Sequence, residues 1–489
     1  MPIVDRISRG LKATLGANIV NVVANGLLIV VLARSLLTPD EYGLLFLALS
    51  VLGVVTIFGT LGLPSSVARY ITEYAEKEPA QVPHVVTSSL GILLALSVVT
   101  GTLVSLGSPW IAELLNEPGL ASLLALGFGF VLFQALRTYL AKVFQGFNRV
   151  DYSALVNTLS AVGRVVFAVG FVLLGFGVVG ALAGYVVGLF VAVAVGIGLL
   201  YYNVYRTFDR AEQREDGLVR RIVEYSVPLT ATRGAGVLDK RVDTILIGVL
   251  MNPAAVAFYT IGKQVSSVCI VPARALGFTI SPMYGEQQAT DQDRQAARLY
   301  EQSLEHVLLL YVPAVVGLVL VADPMVRHVF GAEYLGAVPV LQVLSLYVLV
   351  SAINRITSDG LDFLGRARDR AIVKSATAIS NFVLNLLLIP AFGVVGAAGA
   401  TVVTYSVYTL VNIYIISREL PLQFGQAVRT TIGVGAVSLL MGAGVYLLLP
   451  FVSGPVRLIG VVLFGVLVWS AGVSLSGLLN VRQAMRLLS

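Results

Sequence analysis

The stretch from Tyr225 to Leu250 has the length and apolar character of a membrane helix, yet charged residues lie inside it. They are Arg233, Asp239, Lys240, Arg241 and Asp243. A charge at the centre of a membrane helix costs about 2.5–3.5 kcal/mol on insertion scales, so such groups are kept where they face a partner or a water-filled cavity. We therefore expect this helix to line a polar cavity. Neutralisation of the neighbouring basic residues is the alternative role for the two acids.

The composition of the whole chain is that of a protein that crosses a membrane many times. Of the 489 residues, 57% are hydrophobic and 12% are charged, and the mean hydropathy is +0.87. In soluble domains about 25% of residues are charged. Apolar runs of about 20 residues recur along the chain, and each can cross about 30 Å of hydrocarbon as a helix. The sequence predicts an all-α polytopic membrane protein.

The apolar runs predict fourteen membrane helices with both chain ends in the cytoplasm. With a cytoplasmic N-terminus, 22 basic residues fall on the inner side and three on the outer side, which agrees with the preference of Lys and Arg for cytoplasmic loops. The predicted spans are 13–37, 43–64, 84–107, 120–144, 152–174, 178–204, 223–250, 254–281, 300–322, 336–358, 371–390, 393–417, 427–450 and 455–478.

Four landmarks recur at a nearly constant separation, which indicates an internal duplication. The pairs, 214 to 219 residues apart, are Pro39 and Pro253, Pro109 and Pro324, Gly146 and Gly365, and Gly177 and Gly393. Each copy holds six spans. Because six is even, the copies share one orientation and form a parallel repeat, for which the binding site is expected between the lobes.

The duplication predicts the domain organisation. We expect an N-terminal lobe over 1–205, a cytoplasmic linker over 206–222 and a C-terminal lobe over 223–418. Two further helices and a cytoplasmic tail then occupy 419–489.

Basic residues outnumber acidic residues inside the predicted spans. The basic residues are Arg137, Arg164, Arg233, Lys240, Arg241, Lys263, Arg274 and Arg355. We expect Arg137 and Arg274 to reach the inner headgroups with their long side chains. The only clear acids at depth are Asp239 and Asp243. An excess of positive charge favours an anionic substrate, and guanidinium groups fit phosphate through paired hydrogen bonds.

Polar residues extend this predicted substrate site to the first span. Asn18, Asn21 and Asn25 share one helical face because they are three and four residues apart. An offset of 215 pairs Asn18 with Arg233 and Asn25 with Lys240. Hydrogen bonding between helices is the alternative role for these Asn residues. The predicted substrate-binding set is Arg233, Lys240, Arg241, Asn18, Asn21, Asn25, Lys263 and Arg355.

A second polar face could hold a small cation. Thr377, Asn381 and Asn385 lie on one side of the eleventh span. With an acid of the seventh span and a threonine of the twelfth they could supply hard oxygen ligands. The candidate sodium ligands are Asp239, Asn381, Asn385 and Thr401. Hydrogen bonding between helices is again the alternative.

Signatures of catalysis are absent from the sequence. It has no GxxxxGK[ST] phosphate loop, and its three histidines and single cysteine form no ligand pattern. We expect a transporter with no catalytic residues, no bound cofactor beyond coupling by Na⁺ or H⁺, and no nucleic-acid partner.

Several segments resemble the polysaccharide-transporter branch of the multidrug/oligosaccharidyl-lipid/polysaccharide flippase superfamily. They are LARSLLTPDEYGLLFLALSV at 32–51, FGTLGLPSSVARYITEY at 58–74, VPLTATRGAGVLDKRVDTILIG at 227–248 and FGVVGAAGATVVTY at 392–405. The resemblance implies a V-shaped pair of lobes that alternate between inward-facing and outward-facing states. It also implies that the cargo is a polyprenyl- or dolichyl-linked oligosaccharide diphosphate, moved to the outer leaflet of the cell membrane.

The resemblance also implies roles for particular residues. Cavity arginines of relatives engage the headgroup, and Arg233, Lys240 and Arg241 match them by location. Some peptidoglycan-precursor relatives hold sodium with spans seven, eleven and twelve. Asp239, Asn381, Asn385 and Thr401 correspond to that site by helix and residue type. The paired arginines that those relatives carry in span one are replaced here by the three Asn residues. Glycan polymerase or glycosyltransferase machinery and membrane lipids are the expected partners.

Two other functions remain as alternatives. A drug or cation antiporter of the same superfamily would need an acidic or aromatic cavity, which the basic excess disfavours. A membrane-embedded glycan polymerase or transferase would need a catalytic carboxylate or histidine constellation at a membrane face, and the outer loops are too short to offer one.

Overall fold

The computed structural model describes residues 3–277, 280 and 293–476. The end of the predicted eighth span at 281 and the predicted tail after 476 lie outside these residues. Every regular element within them is a helix. The chain divides into two compact units, Met1–Val256 and Ala257–Ser489.

The first unit is built from ten helices in its described part. They are α1 Ile3–Val31, α2 Pro39–Thr60, α3 Leu63–Lys77, α4 Val82–Leu106, α5 Ser108–Leu114, α6 Leu120–Leu124, α7 Gly127–Gly146, α8 Val150–Phe171, α9 Gly177–Asn203 and α10 Leu218–Leu250. One group of buried apolar residues lies among α3, α4, α7, α8, α9 and the start of α10.

The remaining helices follow from residue 253 onward. They are α11 Pro253–Cys269, α12 Asp293–Met325, α13 Ala337–Phe363, α14 Ala367–Glu419, α15 Phe424–Leu448 and α16 Pro455–Leu475. Small apolar clusters join α12 to α15 and α16.

The helices confirm the prediction of fourteen spans. Within the described part of the chain, ten segments are long and apolar enough to cross a membrane. Two of them, Val150–Thr207 and Ala367–Glu419, each contain two helices joined at a kink. Helices α7 and α10, of 20 and 33 residues, complete the fourteen; they also have the length of a span but carry more polar residues.

Two of the repeated landmarks adopt the same local structure in both copies. Gly177 has φ 53° and ψ −143°, and Gly393 has φ 61° and ψ −146°. Glycine populates this region readily because it has no Cβ. Each of these residues therefore marks the kink between the fifth and sixth helices of its copy.

The prolines of the first pair begin helices that are capped alike. Thr38 and Glu41 form a capping box before and within α2, with the Thr38 amide donating to the Glu41 carboxylate over 2.9 Å. Asn252 precedes α11 and accepts a hydrogen bond from the Ala255 amide at 2.9 Å. In both cases the proline follows the cap residue, where its missing N–H costs nothing.

Helix α10 packs within the first unit, although the repeat places it at the start of the second copy. A Cβ built on Gly62, between α2 and α3, would lie 2.6 Å from the Ser226 carbonyl oxygen of α10. The Ser66 hydroxyl donates to the Ile222 carbonyl at 3.0 Å. The lobe limits of 1–205 and 223–418 describe the duplication and stay a prediction.

The predicted linker is bound to the end of α3 and the start of α4. The Ala211 amide donates to Ala80 at 2.9 Å, and His84 Nε2 lies 2.8 Å from the Ala211 carbonyl oxygen. The Glu215 carboxylate accepts hydrogen bonds from the Tyr74 hydroxyl and, at 2.6 Å, from Arg221. The linker ends at Gly217, because 218–222 already belong to α10.

Candidate functional site

Three arginines from different helices gather inside the first unit. Arg137 lies on α7, Arg164 on α8 and Arg241 on α10, and all three are half-buried. Arg137 and Arg164 repel each other electrostatically. Tyr185 on α9, which is 7% exposed, interacts electrostatically with both Arg164 and Arg241. We call Arg137, Arg164 and Arg241 the arginine cluster.

Close packing of α8 on α9 fixes the position of Arg164. A Cβ built on Gly188 would lie 2.5 Å from the Arg164 amide nitrogen, and one built on Gly184 would lie 2.2 Å from the Ala168 amide nitrogen. Small residues four apart allow membrane helices to approach this closely. The Arg164 guanidinium carbon lies 5.2 Å from the centre of the Tyr185 ring.

The other two arginines are oriented by neutral side chains. Arg137 donates from Nη1 to Asn157 Oδ1 at 2.6 Å and from Nε to Gln134 at 3.4 Å. Arg241 donates from Nη1 to Ser50 at 3.5 Å. Arg137, which the sequence predicts to extend toward the inner headgroups, therefore forms a hydrogen bond within the helix bundle instead.

The arginine cluster has no carboxylate partner among the residues that the structure describes. Its hydrogen-bond and ring partners are amide, hydroxyl and phenol groups. The Arg164 Nε atom is buried and has no hydrogen-bond acceptor. Positive charge thus accumulates here without compensation from the described side chains.

The predicted substrate residues of the first unit lie on two helices. On α10, Arg233 and Lys240 are exposed. Arg233 lies near enough to Lys142 for the two positive charges to repel each other. On α1, Asn18 is exposed and Asn25 half-buried, while Asn21 donates to the Ala17 carbonyl at 2.8 Å. The bond of Asn21 stays within its own helix.

Of the two acids that the sequence predicts at depth on α10, Asp243 is 3% exposed and Asp239 is half-buried. Asp239 belongs to the first unit, whereas the other three candidate sodium ligands belong to the second. The same division separates Lys263 and Arg355 from the rest of the predicted substrate set.

In the second unit, Arg355 pairs with Asp359 one helical turn away, at 3.1 Å. Lys263 lies over the Tyr259 ring, with Nζ 5.2 Å from the ring centre. Each of these two predicted substrate residues therefore has a neighbour within the unit that stabilises its charge.

Three candidate sodium ligands lie close together along the two halves of α14. Asn385 donates to Asn381 Oδ1 at 2.9 Å, and Asn381 donates to Thr404 at 3.2 Å. Thr401 is one turn from Thr404, and its hydroxyl is 3.2 Å from that of Tyr259. The Asn381–Thr404 and Thr401–Tyr259 contacts lie between helices, as in the alternative role, whereas the Asn385–Asn381 bond stays within one helix.

A further polar cluster in the second unit is absent from the sequence predictions. Asn412 donates to Asn354 Oδ1 at 2.9 Å, and both residues are buried. Asn354 reaches the Tyr405 hydroxyl at 3.5 Å, and Lys374 lies 5.0 Å from the Tyr405 ring centre. Each Asn alone looks like any polar residue in an apolar span, so only the packing of α13 on α14 reveals the pair.

A local signal marks Arg137 and Arg164 in the sequence as basic residues without a nearby acid. Neither residue has an acid three or four positions away, whereas Arg355 has Asp359 and Arg327 has Asp323 at four. Residues at this spacing are neighbours on a helix surface, so its absence marks a basic residue without a local partner.

Comparison with known proteins identifies the family. The family model described as "Polysaccharide biosynthesis protein" matches residues 7–274, and the MatE model matches 238–387. In Haloferax volcanii, the protein named probable low-salt glycan biosynthesis flippase Agl15 is 25% identical over 447 residues, which cover 89% of each chain. The probable flippase AglR of the same organism is 24% identical over 88% of this chain and 86% of its own.

A solved structure shares the fold over most of the chain. It is that of lipid II flippase MurJ in an inward closed conformation, with a TM-score of 0.74 and 16% identity over 95% of this chain and 98% of that one. Because the first family model spans more than half of the sequence, the chain belongs to the polysaccharide biosynthesis protein family.

Proposed function

We propose that this protein is a flippase that carries a lipid-linked oligosaccharide diphosphate from the inner to the outer leaflet of the cell membrane. The observation that carries the proposal is the positive charge inside the first unit, where the arginine cluster and the exposed Arg233 have no carboxylate partner among the described residues. A diphosphate headgroup is a ligand of the opposite charge, and guanidinium groups bind phosphate oxygens in pairs.

Similarity to named relatives supports this choice of cargo. Two proteins that match along most of their length are named as flippases, one of them for glycan biosynthesis. The matched fold is also that of a lipid II flippase. In our proposal the diphosphate is bound by Arg233, Lys240 and Arg241, while Asn18, Asn21 and Asn25 contact the polar part of the cargo.

The mechanism follows from the chemistry of the cargo. The headgroup and sugars cannot cross hydrocarbon without partners for their polar groups. The basic residues would bind the headgroup in a wet cavity while the lipid tail stays in the bilayer, and the access of that cavity would alternate between the two sides. Both chain ends are cytoplasmic in this proposal, and the protein acts as a transporter with no chemical step of its own.

The proposal is tested by reconstitution. Purified protein is placed in liposomes with a fluorescent polyprenyl-diphosphate sugar, and the fraction that a membrane-impermeant quencher can reach is followed with time. We expect the native protein to move the lipid and Arg233→Gln to slow this movement at least tenfold. Arg457→Gln is the matched control, because Arg457 is exposed and donates to the Phe451 carbonyl outside this region.

The outcomes separate the function from the site. Equal movement by the native protein and Arg233→Gln would keep the function and remove Arg233 from the site. Absence of movement in the native protein under sodium and proton gradients would overturn the flippase proposal.

The match of the MatE model to 238–387 supports one alternative, an ion-coupled multidrug exporter. Such a protein needs an acidic or aromatic site for organic cations. Uptake of a fluorescent organic cation by the same liposomes, without movement of the lipid-linked sugar, would favour this second function.

A further inference from the structure

We propose that the first unit contains an oxyanion site formed by Arg137, Arg164 and Arg241, and that its ligand is the diphosphate group of the cargo. The inference rests on the proposed function and deepens it, because it assigns the headgroup to residues on α7 and α8 as well as α10. Arg137 and Arg164 are in none of the predicted site sets.

The first argument is the absence of internal compensation. Other arginines of the same unit bind carboxylates: Arg149 pairs with Asp151 at 3.2 Å and Arg221 with Glu215 at 2.6 Å. Apart from one another, the cluster arginines have only neutral partners among the described residues, even though they lie in membrane helices. Charges withdrawn from water are normally paired, so three half-buried guanidinium groups without a described carboxylate favour the binding of an anion from outside the chain.

The second argument is the number of donors that remain available. A guanidinium group has five N–H donors. Arg137 uses two of its donors, and Arg241 makes one bond at 3.5 Å. Arg164 makes none with the described residues, and its Nε is buried. The remaining donors suit a ligand with several strong acceptor oxygens.

The third argument is that the cluster is held in place. Asn157 accepts a hydrogen bond that fixes one end of the Arg137 guanidinium, and the Tyr185 ring lies beside the Arg164 guanidinium. Gly53 makes room for Arg241, since a Cβ built there would lie 3.4 Å from Arg241 Nε. Groups positioned before binding lose less freedom when the ligand arrives, which favours affinity.

Guanidinium geometry selects the ligand class. Planar forks of N–H groups match the oxygens of phosphate, and three forks from three helices can contact two linked phosphoryl groups. A monophosphate presents fewer oxygens, and an organic cation would be repelled. We therefore expect diphosphate to bind more tightly than monophosphate.

The test measures binding directly, with full-length protein in detergent. Inorganic pyrophosphate is titrated by calorimetry against the native protein, Arg164→Gln and Arg164→Lys. We expect Arg164→Gln to weaken binding at least tenfold and Arg164→Lys to weaken it less, because lysine restores the charge but not the fork. Arg149→Gln, which removes an arginine already paired with Asp151, should bind as the native protein does.

Further arms identify the source of the ligand. A short-chain polyprenyl diphosphate should compete with pyrophosphate, whereas phosphatidylglycerol in mixed micelles should not. Competition by phosphatidylglycerol alone would instead identify a structural lipid and overturn the diphosphate assignment. Equal pyrophosphate affinity of the native protein and Arg164→Gln, or an equal loss in Arg149→Gln, would overturn the site.

Transport separates this inference from the proposed function. If the native protein flips the labelled lipid but Arg164→Gln flips it equally well, the function stands and the cluster has no part in it. If the native protein binds pyrophosphate through Arg164 but flips nothing, the site stands and the flippase proposal fails. The melting temperature of each variant without ligand confirms that it is folded.

Discussion

Gly188 lies so close to Arg164 that a Cβ on the glycine would be 2.5 Å from the Arg164 amide nitrogen. The contact is between the backbones of α9 and α8, so it fixes the position from which the Arg164 side chain extends. Gly184, one turn earlier on α9, makes the same kind of contact with Ala168. Two glycines on one helix therefore determine the position of a charge on its neighbour.

Gly188→Ala should push α8 away from α9 and lower both stability and anion binding. Backbone atoms cannot rotate away as a side chain could, and overpacking of this kind costs about 1–3 kcal/mol. Thermal unfolding and pyrophosphate titration measure the two effects. Gly198→Ala on the same helix is the control, because a Cβ there meets nothing within 4 Å. Equal behaviour of the two variants would show that the close approach is unimportant.

Acid should release the linker from the end of α3 and the start of α4. Hydrogen bonds from Tyr74 and Arg221 lower the pKa of the Glu215 carboxyl. A lowered pKa means that this carboxyl stabilises docking above its ordinary pKa of about 4.3, and that the contribution is lost as the pH falls through the lowered value. Docking should be complete at pH 7.

Hydrogen exchange of 206–217, corrected for the intrinsic effect of pH, measures this release. Glu215→Gln should exchange faster even at pH 7, because the ion pair with Arg221 is gone. Glu224→Gln removes an exposed pair with Arg220 and should leave the linker protected. Protection of the linker in Glu215→Gln equal to that of the native protein would contradict the prediction.

The buried amide pair of the second unit should stabilise it in a coupled way. Asn412→Leu leaves Asn354 Oδ1 without its donor, and Asn354→Leu leaves the Asn412 amide without its acceptor. The double variant should lose less stability than the two single variants together. Hydrogen bonds between membrane helices are worth about 0.6 kcal/mol on average and up to about 1.7 kcal/mol. A double-mutant cycle of unfolding free energies gives the coupling, and a value of zero would exclude it.

Sodium dependence distinguishes the two roles proposed for the polar face of α14. If Asn381, Asn385 and Thr401 bind sodium together with Asp239, transport should rise with sodium at constant ionic strength, and Asn381→Leu should abolish that rise. If they only join helices, as their mutual hydrogen bonds would allow, Asn381→Leu should lower stability and leave the response to salt unchanged. Potassium in place of sodium is the control.

The sequence by itself determined the helical membrane architecture and the internal duplication. Apolar runs specify spanning helices because backbone groups in hydrocarbon must bond within the segment. The landmark pairs of the repeat needed no tertiary information either, since Gly177 and Gly393 fill positions where only glycine is unstrained, and Thr38 and Asn252 cap the helices that Pro39 and Pro253 begin. These features depend on local geometry, which the order of residues carries directly.

Tertiary structure decided which charges meet. Arg355, a predicted substrate residue, pairs with Asp359, whereas Arg137, for which the sequence predicts a place near the headgroups, lies near Arg164 within the first unit. The arginine cluster draws its members from three helices, and Tyr185 comes from a fourth. Their approach depends on the depth and rotation at which each helix packs. The depth and rotation are set by contacts between different helices, such as that of Gly188 on α9 with Arg164 on α8. The pattern of residues within a single helix does not contain this information.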